Sequence, residues 1–258
     1  LAESGRGRDH HAAWLRNAEL RNVAPGVVVE IARRNALTPD SFRVLRDMEE
    51  IRDPGGKSFF LLPRGTTGTD ARRAALLTYV LNAGTGYGAP GRLADFPAAD
   101  YCPGEVARIA ARQSANGWTY TRDVRFVDRN GGRLVTTPNG MLMGAGGNAI
   151  QRLFSWRGGT CWGDLFMVNT GRLSDPADLL RRIVRSGHAW YLDGGEHRES
   201  GLDLDRLLHH EERHSRQWAD KGYAGMIKDY GRELFRELVF RRLNRFEEEA
   251  GLSDGGYR

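Results

Sequence analysis

The residues of this chain with the most chemical promise are His210, Glu211 and His214, within Leu207-Leu208-His209-His210-Glu211-Glu212-Arg213-His214-Ser215-Arg216-Gln217-Trp218. They form the pattern His-Glu-x-x-His. On a helix, positions four apart share a face. The two imidazoles could therefore grip one metal ion, with Glu211 beside the water on that ion. Leu204, Leu207, Leu208, Glu211, His214 and Trp218 recur at the spacing of a buried helical stripe that starts after Asp203, an acceptable N-cap. A histidine without a task belongs on the wet face, and a buried glutamate needs a compensating partner.

A catalytic zinc site uses three protein ligands and leaves one position open, so a third donor must come from elsewhere. Gly222 ends the motif helix, and a second helix is expected from about Ala224, with Ile227, Tyr230, Leu234, Leu238 and Phe240 as apolar positions. It leads to Asn244-Arg245-Phe246-Glu247-Glu248-Glu249-Ala250. The separation between His214 and Glu247 leaves room for a turn and a returning helix that brings a carboxylate back to the ion.

His-Glu-x-x-His-x-x-Gln followed by Asn-x-Phe-Glu-x-Glu-Ala resembles the gluzincin-type zinc metallopeptidase domains, over about Leu204 to Ala250. The resemblance implies that His210, His214 and Glu247 bind Zn2+, that Glu211 is the general base, and that the substrate is a peptide or protein. It also implies an edge strand, near Leu165 to Val168, that holds an extended peptide. Two positions depart from the family pattern. Arg245 stands where a proline is common, and Gly251 where relatives often carry an aspartate that supports the ligands; Asp254 is a candidate substitute. Tyr223, Tyr230, Tyr257 and His209 are candidates for stabilising an oxyanion.

The elements that must position these groups read as an α+β, zincin-like fold. The motif helix and the returning ligand helix pack beside a small, mostly antiparallel sheet, with a mainly helical N-terminal region. A boundary near 95 separates residues 1–95 from a catalytic domain at 96–258, although both parts can share one core. Helices are expected over Arg8–Val23 (stripe Ala12, Leu15, Ala18, Leu20), from Thr38-Pro39-Asp40, from Thr69-Asp70 to Leu81, over Gly104–Asn116, and from Asp175-Pro176 through Ile183. Strands are expected over Ser58–Leu62, Trp118–Asp128 with a turn at Asn130-Gly131-Gly132 and a return over Arg133–Thr137, Gly163–Asn169, and Ala189–Leu192. His10, His11 and His197 read as solvent-facing, the last in a polar loop from Asp193 to Gly201.

Other motifs fail their own tests. Gly56-Lys57-Ser58 lacks the earlier glycine of a phosphate loop, because Ile51 stands there. Gly84-Thr85-Gly86 follows a helix, not the strand a dinucleotide fingerprint needs. Gly144 to Ala149 matches such a fingerprint in letters, but lacks the following helix length and the acidic strand end, so a flexible rim loop is expected.

The net charge is +5, and of the 38 basic residues only Lys57, Lys221 and Lys228 are lysine. An arginine bias of this kind fits a GC-rich, bacterial genome. The basic residues are interleaved with acids and form no recognised module, so no nucleic-acid partner is expected. No apolar run is long enough to span a membrane. Leu1 to Arg8 is polar, and a soluble protein is expected, cytoplasmic or secreted after processing. Cys102 and Cys161 lack metal-type spacing, and either free thiols or one disulfide is compatible with them. The reading is a zinc-dependent hydrolase, most simply a metallopeptidase. The alternatives are an iron-dependent oxygenase, since two histidines and a carboxylate also suit iron, and an inactive zincin-fold binding module.

Overall fold

The structure is a computed structural model that describes residues 9–85, 94–147, 159–169, 173–240 and 244–256; within 230–240 only the backbone is described. The Gly86–Gly91 part of the expected loop, the segment 148–158, the side chains of Tyr230, Leu234, Leu238 and Phe240, and Tyr257 lie outside it.

The fold is α+β. Strands β1 (Glu49–Arg52), β2 (Ser58–Leu61), β3 (Arg133–Thr136), β4 (Leu142–Ala145), β5 (Gly159–Trp162) and β6 (Leu165–Val168) form one sheet in the order β1-β2-β3-β4-β6-β5. Every neighbouring pair is antiparallel except β4 and β6. The sheet thus runs across the boundary placed near 95, with β1 and β2 before it and the other strands after it. A separate hairpin is made by β7 (His188–Asp193) and β8 (Glu196–Asp203).

The central strands are apolar on both sides because both faces are covered, and successive side chains alternate between the two. Phe59, Leu61, Val135, Met143, Phe166 and Val168 pack against α6 (Pro176–Ser186) and the start of the motif helix, through Leu179, Leu180, Ile183, Leu204 and Leu208. Leu134, Leu142, Leu165 and Met167 face the opposite way, onto Ala71 and Ala75 of α3 (Gly68–Leu81) and onto Tyr120, Val124 and Val127. Phe60 joins that second side, in a cluster with Trp14 of α1 (His10–Leu20), Ile31 of α2 (Pro25–Arg34), Phe42 of the short Pro39–Leu45 helix, and Val106 and Ile109 of α4 (Pro103–Ala115).

Several expectations are overturned. Trp118–Asp128 is not a strand: a π-helical turn at Thr119–Asp123 runs into α5 (Val124–Arg129). Tyr120, Val124 and Val127 are spaced four and three apart and are all buried, while Phe126, which the alternation placed inward, is 37% exposed. The helical period in that stretch outweighs the two-residue one, and β3 pairs with β2 and β4 instead. In α1, Leu15 and Leu20 are exposed and the buried residues are His10, Trp14 and Ala18; the His10 ring stands edge-on to Phe60 at 5.2 Å. His197 lies on β8, not in a loop. The start of the glycine string at 144 is β4, where a Cβ on Gly144 would lie 2.5 Å from the Met167 sulfur. Strand packing, not phosphate binding, explains that glycine. Finally, β6 is not an edge: it lies between β4 and β5, and β5 is the outer strand among the described residues. Its short sequence, Gly-Thr-Cys-Trp, carries too little apolar signal to be read as a strand.

Candidate metal centre

The motif helix α7 spans Leu204–Phe240 and is broken at Gly222, whose φ of 69° and ψ of 165° are not helical. The expected stop is therefore present as a kink at the expected residue. Before the kink, the helix buries charged groups on several sides: His210, Glu211, Glu212 and His214 are all less than a tenth exposed. Glu247 is brought back not by the long returning helix but by a separate short one, α8 (Arg245–Ala250), whose N-cap Asn244 accepts from the Phe246 N–H at 3.0 Å.

The three expected ligands converge. Nε2 of His210 and Nε2 of His214 are 3.0 Å apart, and each is 3.3 Å from Oε2 of Glu247. The rings are nearly perpendicular, at 87°. Donor atoms on a tetrahedral ion with bonds of about 2.0–2.1 Å are about 3.3 Å from one another. This triangle has that size.

The hydrogen-bond partners of the other ring nitrogens fix the proton positions. Nδ1 of His210 faces the Gly251 carbonyl at 3.0 Å, an acceptor only, so Nδ1 carries the hydrogen. Nδ1 of His214 faces Oε1 of Gln217 at 2.9 Å. The orientation of that amide follows from its nitrogen, which donates to the Phe246 carbonyl at 3.1 Å and to Glu249 at 3.2 Å. With Nδ1 carrying the hydrogen on each ring, each Nε2 points at the other and at a carboxylate oxygen. Three acceptors pointing at one spot repel unless a cation sits among them. Without an ion, a proton takes that place: burial pulls the His214 ring down, but the Glu247 hydrogen bond and charge outweigh burial and raise it to about 9. For Glu247, burial acts upward, and the hydrogen bonds from His210 and His214 more than offset it, so the carboxyl is held well below the usual range. The donor set fits a zinc ion. Carbonyl or amide acceptors on metal-binding imidazoles are the usual means of orienting the rings.

The residue at 251, where the family pattern departs, thus supports His210 through its backbone. Asp254 supports the site indirectly. It is fully buried, accepts from Nε of Arg206 at 2.8 Å and from the Asp95 N–H at 3.2 Å, and its own N–H donates to Asp95 at 2.8 Å. Gly255 of the same loop packs on the His210 ring, leaving no room for a Cβ.

Glu211 lies beside this triangle. Burial raises its pKa, the two histidines oppose the rise, and Glu247 adds to it. Among the described residues, nothing hydrogen-bonds its carboxylate. Its backbone carbonyl is 3.4 Å from the Cys161 thiol of β5, and Trp218 Nε1 donates to the Cys161 carbonyl at 3.0 Å. Cys161 and Cys102 are both free.

The back of the helix is held by a charge network that sequence reasoning missed. Glu212 accepts from Arg108 at 2.9 Å, from Arg216 at 2.6 Å and from Arg112. Burial acts upward on Glu212, but the arginines prevail and hold its carboxyl below the ordinary value. Asp164 accepts from Arg112, Asn116, Tyr120 and Ser215. Glu212 inside the motif was the available signal, since a second buried acid needs cations; the sequence alone did not say that α4 supplies them.

Of the oxyanion candidates, His209 and Tyr223 are described, and both are engaged with other partners; Tyr230 and Tyr257 lie outside the described side chains. His209 uses Nδ1 on the Asp205 carbonyl at 2.8 Å and Nε2 on Thr85 at 2.9 Å, and burial lowers its pKa. The Tyr223 ring packs 4.9 Å from Trp118. No helix of the described residues is long and apolar enough to cross a membrane. Compared with protein families, characterised proteins and solved structures, the chain gives no match.

Proposed function

We propose that this protein is a zinc-dependent hydrolase that cleaves peptide bonds. The observation that carries the reading is the lone-pair triangle: two buried imidazoles with fixed tautomers and one half-buried carboxylate, with 3.0–3.3 Å between donors, at the spacing zinc requires. When bound, such an ion acidifies a water and polarises a carbonyl. His210, His214 and Glu247 would hold it. Glu211 would take the proton from the attacking water and pass it to the leaving nitrogen. Its burial beside the three donors and its lack of a hydrogen-bond partner among the described residues support that role, because a general base must be within reach of the proton it takes. Gln217 and the Gly251 carbonyl would keep both rings turned toward the ion.

Two measurements test the reading. Metal analysis of purified protein should find about one zinc per chain; iron in its place would favour oxygen chemistry instead. The Glu211→Gln variant should keep its zinc and lose cleavage of a casein substrate. Full activity in that variant, or wild-type protein that binds no metal at micromolar zinc, would overturn the proposal.

A further inference from the structure

A cavity of about 330 Å3 opens at the end of β5 and β6, lined mainly by Phe126, Trp162, Leu165, Met167 and Tyr223. Its volume is at the lower end for a ligand site and suits one large side chain better than a cofactor. Two of its walls, Phe126 and Tyr223, are among the large apolar residues left exposed, at 37% and 41%. The charged residues at its rim do not make it a polar site. Arg122 donates through Nε to Asp123 at 2.6 Å, and its guanidinium lies over the Tyr223 and Trp118 rings at 5.0 and 5.1 Å. That cation is paired and stacked, so the mouth carries no net charge.

The cavity adjoins the metal centre through one layer of aromatic side chains. Trp162 packs 5.3 Å from Trp218, which is one helical turn beyond His214. Trp218 in turn clusters with Phe246, the residue before Glu247. The residue before Trp162, Cys161, is hydrogen-bonded to the backbone of Glu211. The cavity wall and the ligand helices are thus built on the same side chains.

We infer that this cavity binds a large apolar side chain, preferably aromatic, of the polypeptide whose backbone lies at the metal centre. The inference rests on the hydrolase reading for its partner but not for its test. Trp162 and Tyr223 line the cavity, and aromatic pairs favour edge-to-face and offset contacts. Full burial of such a side chain corresponds to about 10- to 100-fold in affinity over alanine.

The test uses zinc-loaded Glu211→Gln protein and two peptides, acetyl-Ala-Ala-Phe-Ala-Ala-amide and its all-alanine counterpart, with binding read by calorimetry and by tryptophan fluorescence. The phenylalanine peptide should bind at least about tenfold more tightly. Phe126→Ala and Tyr223→Ala, both partly exposed and outside the metal site, should erase most of that preference while the zinc content and the far-ultraviolet circular dichroism stay unchanged. Equal binding of the two peptides, or a preference that survives in both variants, would overturn the inference. Aromatic preference in a protein that cleaves no peptide would leave the cavity assignment standing and sink the hydrolase reading. Cleavage without the preference would do the reverse.

Discussion

Gly255→Ala is the sharpest probe of how the metal centre is positioned. Gly255 does not need glycine for its own backbone, since its φ lies outside the left-handed region. What it needs is space. A Cβ there would lie 2.6, 2.8 and 3.0 Å from Cε1, Nδ1 and Nε2 of His210, where ordinary contact begins at 3.4 Å. Either the ring or the loop must give by about 0.8 Å, the difference between 3.4 and 2.6. If the ring moves, Nε2 leaves the triangle. If the loop moves, the Gly251 carbonyl goes with it, because the Gly255 N–H donates to that same carbonyl at 3.0 Å. Its bond to Nδ1, now 3.0 Å, would then exceed hydrogen-bond reach. Both routes disturb one metal ligand, so zinc affinity should fall about 10- to 100-fold. Competition against a coloured chelator measures this. Gly68→Ala is the control: its Cβ would meet the Tyr120 carbonyl at 2.1 Å, away from the triangle, so it should lower stability and leave zinc affinity within about threefold. A folded Gly255→Ala protein that binds zinc as tightly as the control would refute the argument.

Other variants separate the remaining parts. Gln217→Ala removes the acceptor on His214 Nδ1 and the ties to Phe246 and Glu249; zinc affinity should drop about tenfold or more in the same competition assay. Asp164→Asn breaks a buried ion pair with Arg112, 3.0 Å away. Urea unfolding should show a loss of about 3–5 kcal/mol, because the arginine stays buried with half its compensation. Gly225→Ala, in the helix past the kink, would meet only the Lys221 Cβ at 3.6 Å, and should stabilise the protein by about 0.5–1 kcal/mol in thermal melts.

The parts of the site that were legible in the sequence are those written in side chains at helical spacing. His210 and His214 are four apart, Gln217 is three further on, and Gly222 breaks the helix where a glycine must. Glu247 was legible through its setting in Asn244–Ala250. The support for His210 was not, because a backbone carbonyl at Gly251 has no residue identity to recognise, and the expected aspartate is absent. The Arg112 and Asp164 network was hidden for a different reason. Each member looks like an ordinary surface charge until the fold places α4, the turn after β5 and the motif helix together. On the sheet side, β2 and β6 are legible because they are apolar on both faces, whereas β5, of the same length, reads Gly-Thr-Cys-Trp and carries little apolar signal. In Trp118–Asp128 the even-numbered apolar residues Trp118, Tyr120, Val124 and Phe126 imitate a two-residue period and hide the four-three spacing of Tyr120, Val124 and Val127.

The motif helix treats its buried ionisable groups unequally. His209 has Thr85 and Asp205, Glu212 has three arginines, and His210 and His214 have acceptors on one nitrogen and the shared triangle on the other. Each of these arrangements lowers the cost of burial and also makes the group inert or fixed. Glu211 alone has no hydrogen bond to its carboxylate among the described residues, although it is only 6% exposed. A carboxylate left in that state raises its own pKa and lowers the stability of the helix that carries it. Its neighbours show that this fold can supply cations and donors to a buried acid on the same helix. On the proposed reading, the hydrogen-bond donor that Glu211 lacks among the described residues would be a transient one, a water and then a leaving nitrogen, while the two histidines supply the only opposing charge the carboxylate feels.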